Sequence, residues 1–354
     1  MKIVQVLPSL CFGDAVGNDA LALKKIIRER GYETEIFAKD IDARFPADIA
    51  LKIENSPNLG KSDIVMFHEA IGTELNVWIQ NQKCRKVMIY HNITPPEFFL
   101  PYDSAAVCQC VQGLREVQGL RNTFEMVLAA SPFNRQNLLD MGYACPVHVL
   151  PILIPFEDYE KKASEMIFKK YGDGRKNIIF VGRVVPNKCH EDIIRAFSEY
   201  LHCFDHDARL FLVGTCQQSY YGRLKEYTKL LHIEENVIFT GHINFDEILA
   251  YYRLADLFIC QSEHEGFCVP LVEAMYFDIP IIAYDSSAIA WTLGGSGFLM
   301  KEKDPLETAA VMDRILSDGE LRNVILQNQR ERLADFQYEK VKSMFWKCMD
   351  EFIA

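Results

Sequence analysis

The chain has 354 residues, of which 49% are hydrophobic and 25% are charged, and its formal net charge is −11. This length exceeds what one hydrophobic core usually supports, so it predicts two globular domains, and no segment has the composition of a disordered region. The acidic balance argues against a nucleic-acid-binding protein, because phosphate binding requires clustered lysines and arginines.

The charge is unevenly distributed along the chain. Residues 1–155 carry 15 basic and 17 acidic side chains, whereas residues 156–354 carry 23 and 32. The nearly neutral N-terminal part is therefore better suited than the rest to peripheral contact with a membrane surface or an anionic acceptor.

Eleven cysteines are scattered through the sequence. Cys108 and Cys110 form the closest pair, and no second pair stands at zinc-finger spacing, so we expect no structural zinc. The strand-like start at Lys2–Leu7 lacks the pattern of a signal peptide, and no apolar run approaches the length of a membrane span. We therefore expect free thiols in a cytoplasmic protein.

Short β-branched runs alternate with amphipathic stretches, which predicts parallel sheets covered by helices on both faces. The strands predicted in the first half are Ile3–Leu7, Glu33–Ala38, Asp63–Phe67, Val87–Tyr90, Met126–Ala130 and Val147–Leu150, with a first helix at Asn18–Arg30. The strands predicted in the second half are Asn177–Val181, Arg209–Val213, Val237–Thr240, Leu257–Cys260 and Pro280–Tyr284.

The segment PILIPF at 151–156 predicts the domain boundary, because its two prolines favour an extended connector. We predict a Rossmann-like N-terminal domain over 1–155, a Rossmann-like C-terminal domain over 156–337, and a helix over 338–354 that could dock on either domain. Ligands bind such doubly wound sheets outside the carboxyl ends of the strands, so functional motifs should follow strands.

A cationic loop, VGRVVPNK at 181–188, follows the first strand of the second domain. Gly182 permits close approach of the backbone to a ligand, while Arg183 and Lys188 place two cations where a phosphorylated ligand would lie. The alternative interpretation is a loop with two solvated charges.

An acidic loop, SEHEGFCVPLVEA at 262–274, follows the strand that ends at Cys260. Pro270 predicts a helix start, and the helix should run to about Tyr276. Free N–H groups of Val269, Leu271 and Val272 would then form an anion seat.

Two carboxylates of this acidic loop are suited to accept hydrogen bonds from sugar hydroxyls: Glu265 in the loop and Glu273 in the predicted first helical turn. The alternative is a pair of surface acids. His264 is interpreted as a solvated loop residue, because the spacing of these groups is not that of metal ligands.

Glu265-Gly266-Phe267, with Glu273 eight positions after Glu265, resembles the E-x7-E signature of glycosyltransferase family 4, whose members are retaining enzymes of the GT-B fold. The cationic loop resembles the diphosphate clamp of that family. The resemblance implies transfer of a sugar from a UDP- or GDP-sugar to a saccharide or lipid-linked acceptor, with retention, without a metal or cofactor, in cell-surface polysaccharide or glycoconjugate synthesis.

The resemblance also implies roles for single residues. Arg183 and Lys188 neutralise the leaving diphosphate, Glu265 lies near the sugar hydroxyls, and Glu273 holds the ribose. Other residues implied to line the donor site are Gly182, Gly241, His242, Gly266, Phe267, Cys268, Val269 and Leu271. In the N-terminal domain, the resemblance assigns a glycine loop containing Gly13 and a histidine near the transferred sugar, His91; a buried structural histidine is the alternative.

Two positions depart from the family pattern, since cysteine stands at 189 and 268 where glycine or another small residue is usual. The Asp-x-Asp pairs at 40–42 and 205–207 are interpreted as polar connectors rather than metal sites. Ser131 is predicted to be a helix N-cap. Two alternative functions stay open, a nucleotide-sugar epimerase and a non-catalytic nucleotide-sugar-binding protein, and the oligomeric state is not predicted.

Overall fold

A computed structural model describes all residues, 1–354. The chain divides into two compact units. Unit 1 comprises Met1–Glu97, Ser104–Pro155 and Phe336–Ala354, and unit 2 comprises Phe98–Asp103 and Phe156–Asp335. The break after Pro155 coincides with the proline-containing connector, whereas residues Phe98–Asp103 depart from the predicted division because they group with unit 2.

Unit 1 contains a seven-stranded parallel sheet in the order β3-β2-β1-β4-β5-β6-β7. Its strands are β1 Ile3–Leu10, β2 Ile36–Ile41, β3 Leu51–Lys52, β4 Ile64–Glu69, β5 Arg85–Tyr90, β6 Met126–Ala129 and β7 Val147–Val149. The helices that follow these strands are α1 Ala15–Glu29, α2 Leu75–Gln80, α3 Ser104–Gly119 and α4 Pro132–Asp140. Ser131 caps α4 by accepting a hydrogen bond from the N–H of Asn134 at 3.2 Å, as predicted.

Unit 2 contains a six-stranded parallel sheet in the order β10-β9-β8-β11-β12-β13. Its strands are β8 Asn177–Val181, β9 Arg209–Val213, β10 Val237–Gly241, β11 Leu257–Cys260, β12 Ile281–Tyr284 and β13 Phe298–Met300. Its helices are α5 Glu165–Tyr171, α6 His190–Cys203, α7 Gln218–Leu230, α8 Phe245–Leu254, α9 Val269–Tyr276, α10 Ile289–Leu293, α11 Pro305–Ser317 and α12 Gly319–Leu333.

The central strands, β4 in unit 1 and β8 and β11 in unit 2, are buried along their whole length. Continuous apolar runs are what a parallel strand covered on both faces requires, and this explains why the strands were readily predicted. The two strands that the sequence did not predict, β3 and β13, are edge strands of two and three residues. Their residues are more exposed, so the apolar signal is weak there.

The last helix, α13 Tyr338–Ile353, belongs to unit 1. Its buried face, which includes Phe345 and Met349, joins the hydrophobic core formed by strands β1, β4, β5 and β6. Arg30 fixes the exposed side of the helix, because its guanidinium lies 4.3 Å from the ring centroid of Trp346 and pairs with Asp350 at 2.8 Å. None of the helices combines the length and apolar character that crossing a membrane requires.

Candidate active site

The cationic loop follows β8 and the acidic loop follows β11. Because these strands are adjacent and parallel, both loops lie at the same edge of the unit 2 sheet. The two loops are joined by hydrogen bonds. The N–H of Glu263 donates to the carbonyl of Asn187 at 2.9 Å, and the amide of Asn187 donates to the carbonyl of His264 at 2.9 Å. Asn187 is buried, so these bonds hold the loops in a fixed register.

Lys188 and Glu265 form an ion pair between these loops. Their side chains are 18% and 8% exposed. Burial alone would lower the pKa of Lys188, but the neighbouring carboxylate of Glu265 outweighs it and raises that pKa, so the ammonium keeps its charge. The pair provides a desolvated cation and a fixed carboxylate at the carboxyl ends of the strands.

A third loop, which follows β12, supports Glu265 from the other side. Ser287 accepts a hydrogen bond from the backbone N–H of Glu265 at 2.8 Å. The hydroxyl of Ser286 donates to the carbonyl of Ser262 at 2.6 Å. The backbone around Glu265 is thus held by two neighbouring loops, which is the kind of support that a positioned functional carboxylate needs.

Arg183 differs from Lys188 in its surroundings. Its side chain is exposed, and the structure gives it no hydrogen bond or ion pair. The guanidinium therefore remains available to an external anion, to which it can present two parallel donors.

Glycines with positive φ end three adjacent strands of unit 2. Gly182, Gly214 and Gly241 follow or end β8, β9 and β10, with φ values of 144°, 143° and 67°. A Cβ atom on Gly214 would lie 2.1 Å from the carbonyl oxygen of Gly182, so no larger residue fits there. This edge therefore presents backbone groups rather than side chains, and the exposed His242 follows directly. Sequence reasoning did not single out Gly214, although a glycine directly after a buried strand was the available signal.

The structure places Glu273 in the second turn of α9, not the first, because the helix already begins at Val269. The hydroxyls of Tyr159 and Tyr252 donate to the two carboxylate oxygens of Glu273 at 2.7 and 2.6 Å. Burial raises the pKa of Glu273, and these two hydrogen bonds oppose the rise. Each oxygen retains lone pairs for a further donor, so Glu273 is oriented rather than blocked. Neither tyrosine's role is predictable from the motif, because both residues lie outside it.

The start of α9 differs from the predicted anion seat in one respect. The N–H of Leu271 donates to the carbonyl of Cys268 at 3.1 Å, so this group is not free. Phe267 contributes only backbone to the loop surface, because its side chain is buried and packs against Trp291. Gly266 and Val269 are partly exposed.

Both cysteines that depart from the family pattern adopt the left-handed conformation at helix N-caps. Cys189 precedes α6 with φ 51°, and Cys268 precedes α9 with φ 72°. Glycine adopts this conformation without steric cost, which explains the usual residue at these positions. Both cysteine side chains are buried.

In unit 1, His91 follows β5 and lies at the end of a chain of hydrogen bonds. The amide NH₂ of Gln5 donates to the carbonyl of Ala20 at 2.9 Å, so its oxygen faces Nε2 of His68 at 2.9 Å. Nε2 of His68 must then carry the proton. Its Nδ1 is the acceptor for Nε2–H of His91, at 2.9 Å.

These bonds leave Nδ1 of His91 as an unprotonated nitrogen, which is buried and has no partner in the protein. Burial lowers the pKa of His91 to about 4, so the ring is neutral near pH 7. Asp19 lies 4.0 Å away, and burial raises its pKa to about 7. His91 is thus a buried, hydrogen-bonded histidine with one free acceptor, and it combines features of both predicted alternatives.

Gly13 lies in the loop between β1 and α1, where it is exposed with φ 77°. A Cβ atom there would meet nothing within 4 Å, so the positive φ rather than crowding favours glycine.

Each Asp-x-Asp pair has an aspartate that already binds a group of the protein. Asp42 binds the guanidinium of Arg44 at 2.6 Å, and Asp205 accepts from the N–H of Asp207 at 3.0 Å. Three other clusters hold ligand-type atoms within 4.8 Å of one another, namely Asp19–His68–His91, Cys260–Glu265–Cys268 and Cys189–Asp192–Glu263. In the last of these, the ammonium of Lys303 already lies 3.0 Å from Asp192 and 2.7 Å from Glu263.

Comparison with known proteins finds a family match in unit 2. Residues 163–332 match the family described as Glycosyl transferases group 1. The chain is 30% identical over 193 residues to N-acetyl-alpha-D-glucosaminyl L-malate synthase of Bacillus anthracis, covering 53% of this chain and 49% of that protein. It is also 30% identical over 175 residues to alpha-monoglucosyldiacylglycerol synthase of Streptococcus pneumoniae, covering 48% of this chain and 39% of that protein. The chain thus spans less than half the length of either relative.

Solved structures extend the likeness to both units. The Anabaena protein Alr3699/HepE in complex with UDP and glucose superposes with a TM-score of 0.78 at 18% identity, covering 99% of this chain and 100% of that one. At this identity the likeness shows the fold, which is GT-B with two Rossmann-like domains. The predicted fold class and the resemblance to group 1 glycosyltransferases are both confirmed.

Proposed function

We propose that the chain transfers a glycosyl group from a nucleoside-diphosphate sugar to an acceptor hydroxyl, because unit 2 matches the group 1 glycosyltransferases and the chain has the GT-B fold. The observation that carries the proposal is the buried ion pair of Lys188 and Glu265, which lies on loops at adjacent strand ends, with the unpaired guanidinium of Arg183 in the same cationic loop. A leaving diphosphate needs fixed cations, and a sugar needs a fixed acceptor of hydrogen bonds.

In the proposed reaction, the bond between the anomeric carbon and the diphosphate oxygen breaks, and the acceptor oxygen bonds to that carbon on the same face. The acceptor proton passes to the departing phosphate oxygen. Arg183 and Lys188 stabilise the charge that develops on the diphosphate, Glu265 accepts from a sugar hydroxyl, and Glu273 accepts from the ribose. In unit 1, the unpartnered Nδ1 of His91 is an acceptor suited to a hydroxyl group. The chemistry uses this chain's own cations and carboxylates, without a metal or cofactor.

Retention of configuration is part of the proposal. The names of the B. anthracis and S. pneumoniae relatives describe alpha-linked products, which an alpha-linked donor gives when configuration is retained. A UDP-sugar is the first donor to test, because the Anabaena neighbour binds UDP and UDP-glucose. The acceptor is proposed as a saccharide or lipid-linked hydroxyl compound of glycoconjugate synthesis, and the site of action as the cytoplasm or the membrane surface facing it.

The test is donor hydrolysis without an acceptor. The protein is incubated with single UDP- and GDP-sugars in the presence of EDTA, and free nucleoside diphosphate is measured. We expect slow release from one donor, with product NMR then reporting the anomeric configuration. Binding of a donor without any release, with and without candidate acceptors, would instead favour the non-catalytic binding protein. A changed sugar with an intact diphosphate ester would favour the epimerase.

A further inference from the structure

Two buried thiols lie beside the proposed sugar-binding carboxylate. Cys260 ends β11 with no exposed surface, and Cys268 precedes α9 with 7% exposure. Their sulfur atoms and a carboxylate oxygen of Glu265 all lie within 4.8 Å of one another. Both cysteines are free thiols, and the proposed transfer reaction uses neither sulfur.

This donor set has the chemistry of a site for a thiophilic cation. Two thiolates bound to one tetrahedral Zn²⁺ at about 2.3 Å stand about 3.8 Å apart, so atoms already within 4.8 Å need to move by only about 1 Å to share an ion. Sulfur ligands select zinc-like ions over magnesium and calcium, which prefer oxygen. The hydroxyl of Ser262, 3.3 Å from the sulfur of Cys260, lies close enough to serve as a fourth ligand.

Charge balance also favours the binding of a divalent cation at this site. With both thiols protonated, the buried ammonium of Lys188 and the carboxylate of Glu265 cancel. Exchange of two thiol protons for one divalent cation leaves the net charge unchanged, which avoids the cost of adding charge to a buried site. Glu265 bonds Lys188 through Oε1, so its second oxygen can face an ion.

The other two clusters of ligand-type atoms contain at most one thiol, so they lack the pair of sulfur ligands that selects zinc-like ions. In the cluster of Cys189, Asp192 and Glu263, both carboxylates already pair with the ammonium of Lys303. The ring nitrogens that would face a cation in the cluster of Asp19, His68 and His91 are instead hydrogen-bonded to each other.

We propose that Cys260, Cys268 and Glu265 bind one thiophilic divalent cation such as Zn²⁺, with release of the two thiol protons. The bound ion takes the carboxylate of Glu265 from the donor sugar and so inhibits transfer. The inhibition rests on the proposed function, whereas cation binding does not depend on it.

The test uses Co²⁺ as the probe, added to the reduced, metal-free full chain. We expect one Co²⁺ per chain, a thiolate-to-cobalt charge-transfer band in the near ultraviolet, tetrahedral d–d bands in the visible, and release of about two protons per ion. Zn²⁺ should displace the bound Co²⁺. Cys260→Ser and Cys268→Ser should each weaken Co²⁺ binding by about 10-fold or more and diminish the charge-transfer band.

The matched control is the double variant Cys108→Ser/Cys110→Ser, which removes the closest cysteine pair in sequence and should leave the band unchanged. Circular dichroism of each variant establishes that it is folded, and Cys260→Ala serves as a second variant if Cys260→Ser is not. The proposal is wrong if the wild-type chain gives no thiolate band, or if the band survives both Cys260→Ser and Cys268→Ser.

Inhibition of the transfer reaction by the bound ion is tested by a separate measurement. Zn²⁺ should slow nucleoside-diphosphate release by the wild-type chain and leave Cys260→Ser unaffected, each compared with its own metal-free rate. Equal inhibition of both would contradict the inhibitory role while leaving the cobalt spectra as evidence for the site. A chain that binds Co²⁺ through these thiols but releases no nucleoside diphosphate from any donor would contradict the proposed function instead.

Discussion

The ammonium of Lys188 donates a hydrogen bond to the carboxylate of Glu265, although the two residues stand 77 positions apart in the chain. Adjacent strands bring them together, and two further hydrogen bonds between Asn187 and residues 263–264 keep their loops in register. The pair therefore has two separable consequences, one for stability and one for the proposed catalysis.

Lys188→Met should reduce nucleoside-diphosphate release by about 10²-fold or more, because a preorganised positive charge is lost. It should also lower the free energy of unfolding by about 3–5 kcal/mol, since Glu265 is left buried without its partner. Urea unfolding measures the second effect. The double variant Lys188→Met/Glu265→Gln should recover most of the stability and none of the activity; recovery of activity would contradict the catalytic role of the charge.

Arg183→Ala should show the activity loss without the stability loss. We expect a decrease of about 10²-fold in donor turnover, because the guanidinium is proposed to bind the leaving diphosphate. Its exposure, without a partner in the protein, predicts a change in unfolding free energy within about 0.5 kcal/mol. Lys229→Ala, which removes an exposed cation from α7, is the matched control. Equal turnover in the two variants would contradict the proposed role of Arg183 in binding the diphosphate.

Glu273→Ala should chiefly weaken donor binding, and Tyr252→Phe should reproduce part of this effect. Loss of the tyrosine hydroxyl removes one hydrogen bond that orients the carboxylate, so we expect donor Kd to rise by about 5-fold, corresponding to about 1 kcal/mol. Tyr251→Phe changes the neighbouring buried tyrosine of α8 and should leave donor Kd unchanged. Titration calorimetry with the nucleoside diphosphate separates binding from turnover.

His68 and His91 of unit 1 should have opposite roles in their shared hydrogen bond. Long-range ¹⁵N NMR should show both rings neutral and protonated on Nε2 near pH 7, with Nδ1 of His68 accepting from His91. Spectra of His91→Gln assign the His91 signals. Gln5→Leu removes the acceptor that fixes the His68 tautomer, so it should populate the Nδ1–H form of that ring. A wild-type spectrum with protonated Nδ1 on His68 would contradict the chain of bonds.

The depressed pKa of His91 also predicts an effect of acid on stability. The unfolded chain protonates a histidine near pH 6.5, whereas folded His91 stays neutral until about pH 4. The unfolded state therefore binds more protons in this window, and the stability contributed by His91 is lost as pH falls from about 6.5 towards 4. Urea unfolding of His91→Gln should show a shallower loss over this range than the wild-type chain. Asp19, whose raised pKa acts in the opposite direction, is common to both proteins. Parallel pH profiles would contradict a neutral buried His91.

Local sequence patterns are enough to locate the strands and helices that alternate along the chain. Buried parallel strands are continuous apolar runs, and helix start signals such as Pro270 are local, so most strands and the position of α9 could be predicted to within a few residues. The order of these segments along the sequence also predicts that both motif loops directly follow strands. Short exposed edge strands such as β3 carry too little apolar signal for this kind of prediction.

Tertiary structure alone decided which distant groups meet. Strand order in unit 2 places β8 beside β11, and this pairs Lys188 with Glu265. It also decided that α13 packs into the core of unit 1. Periodicity records which face of an element is buried but not which other element covers it, because that choice depends on the packing of surfaces far apart in sequence.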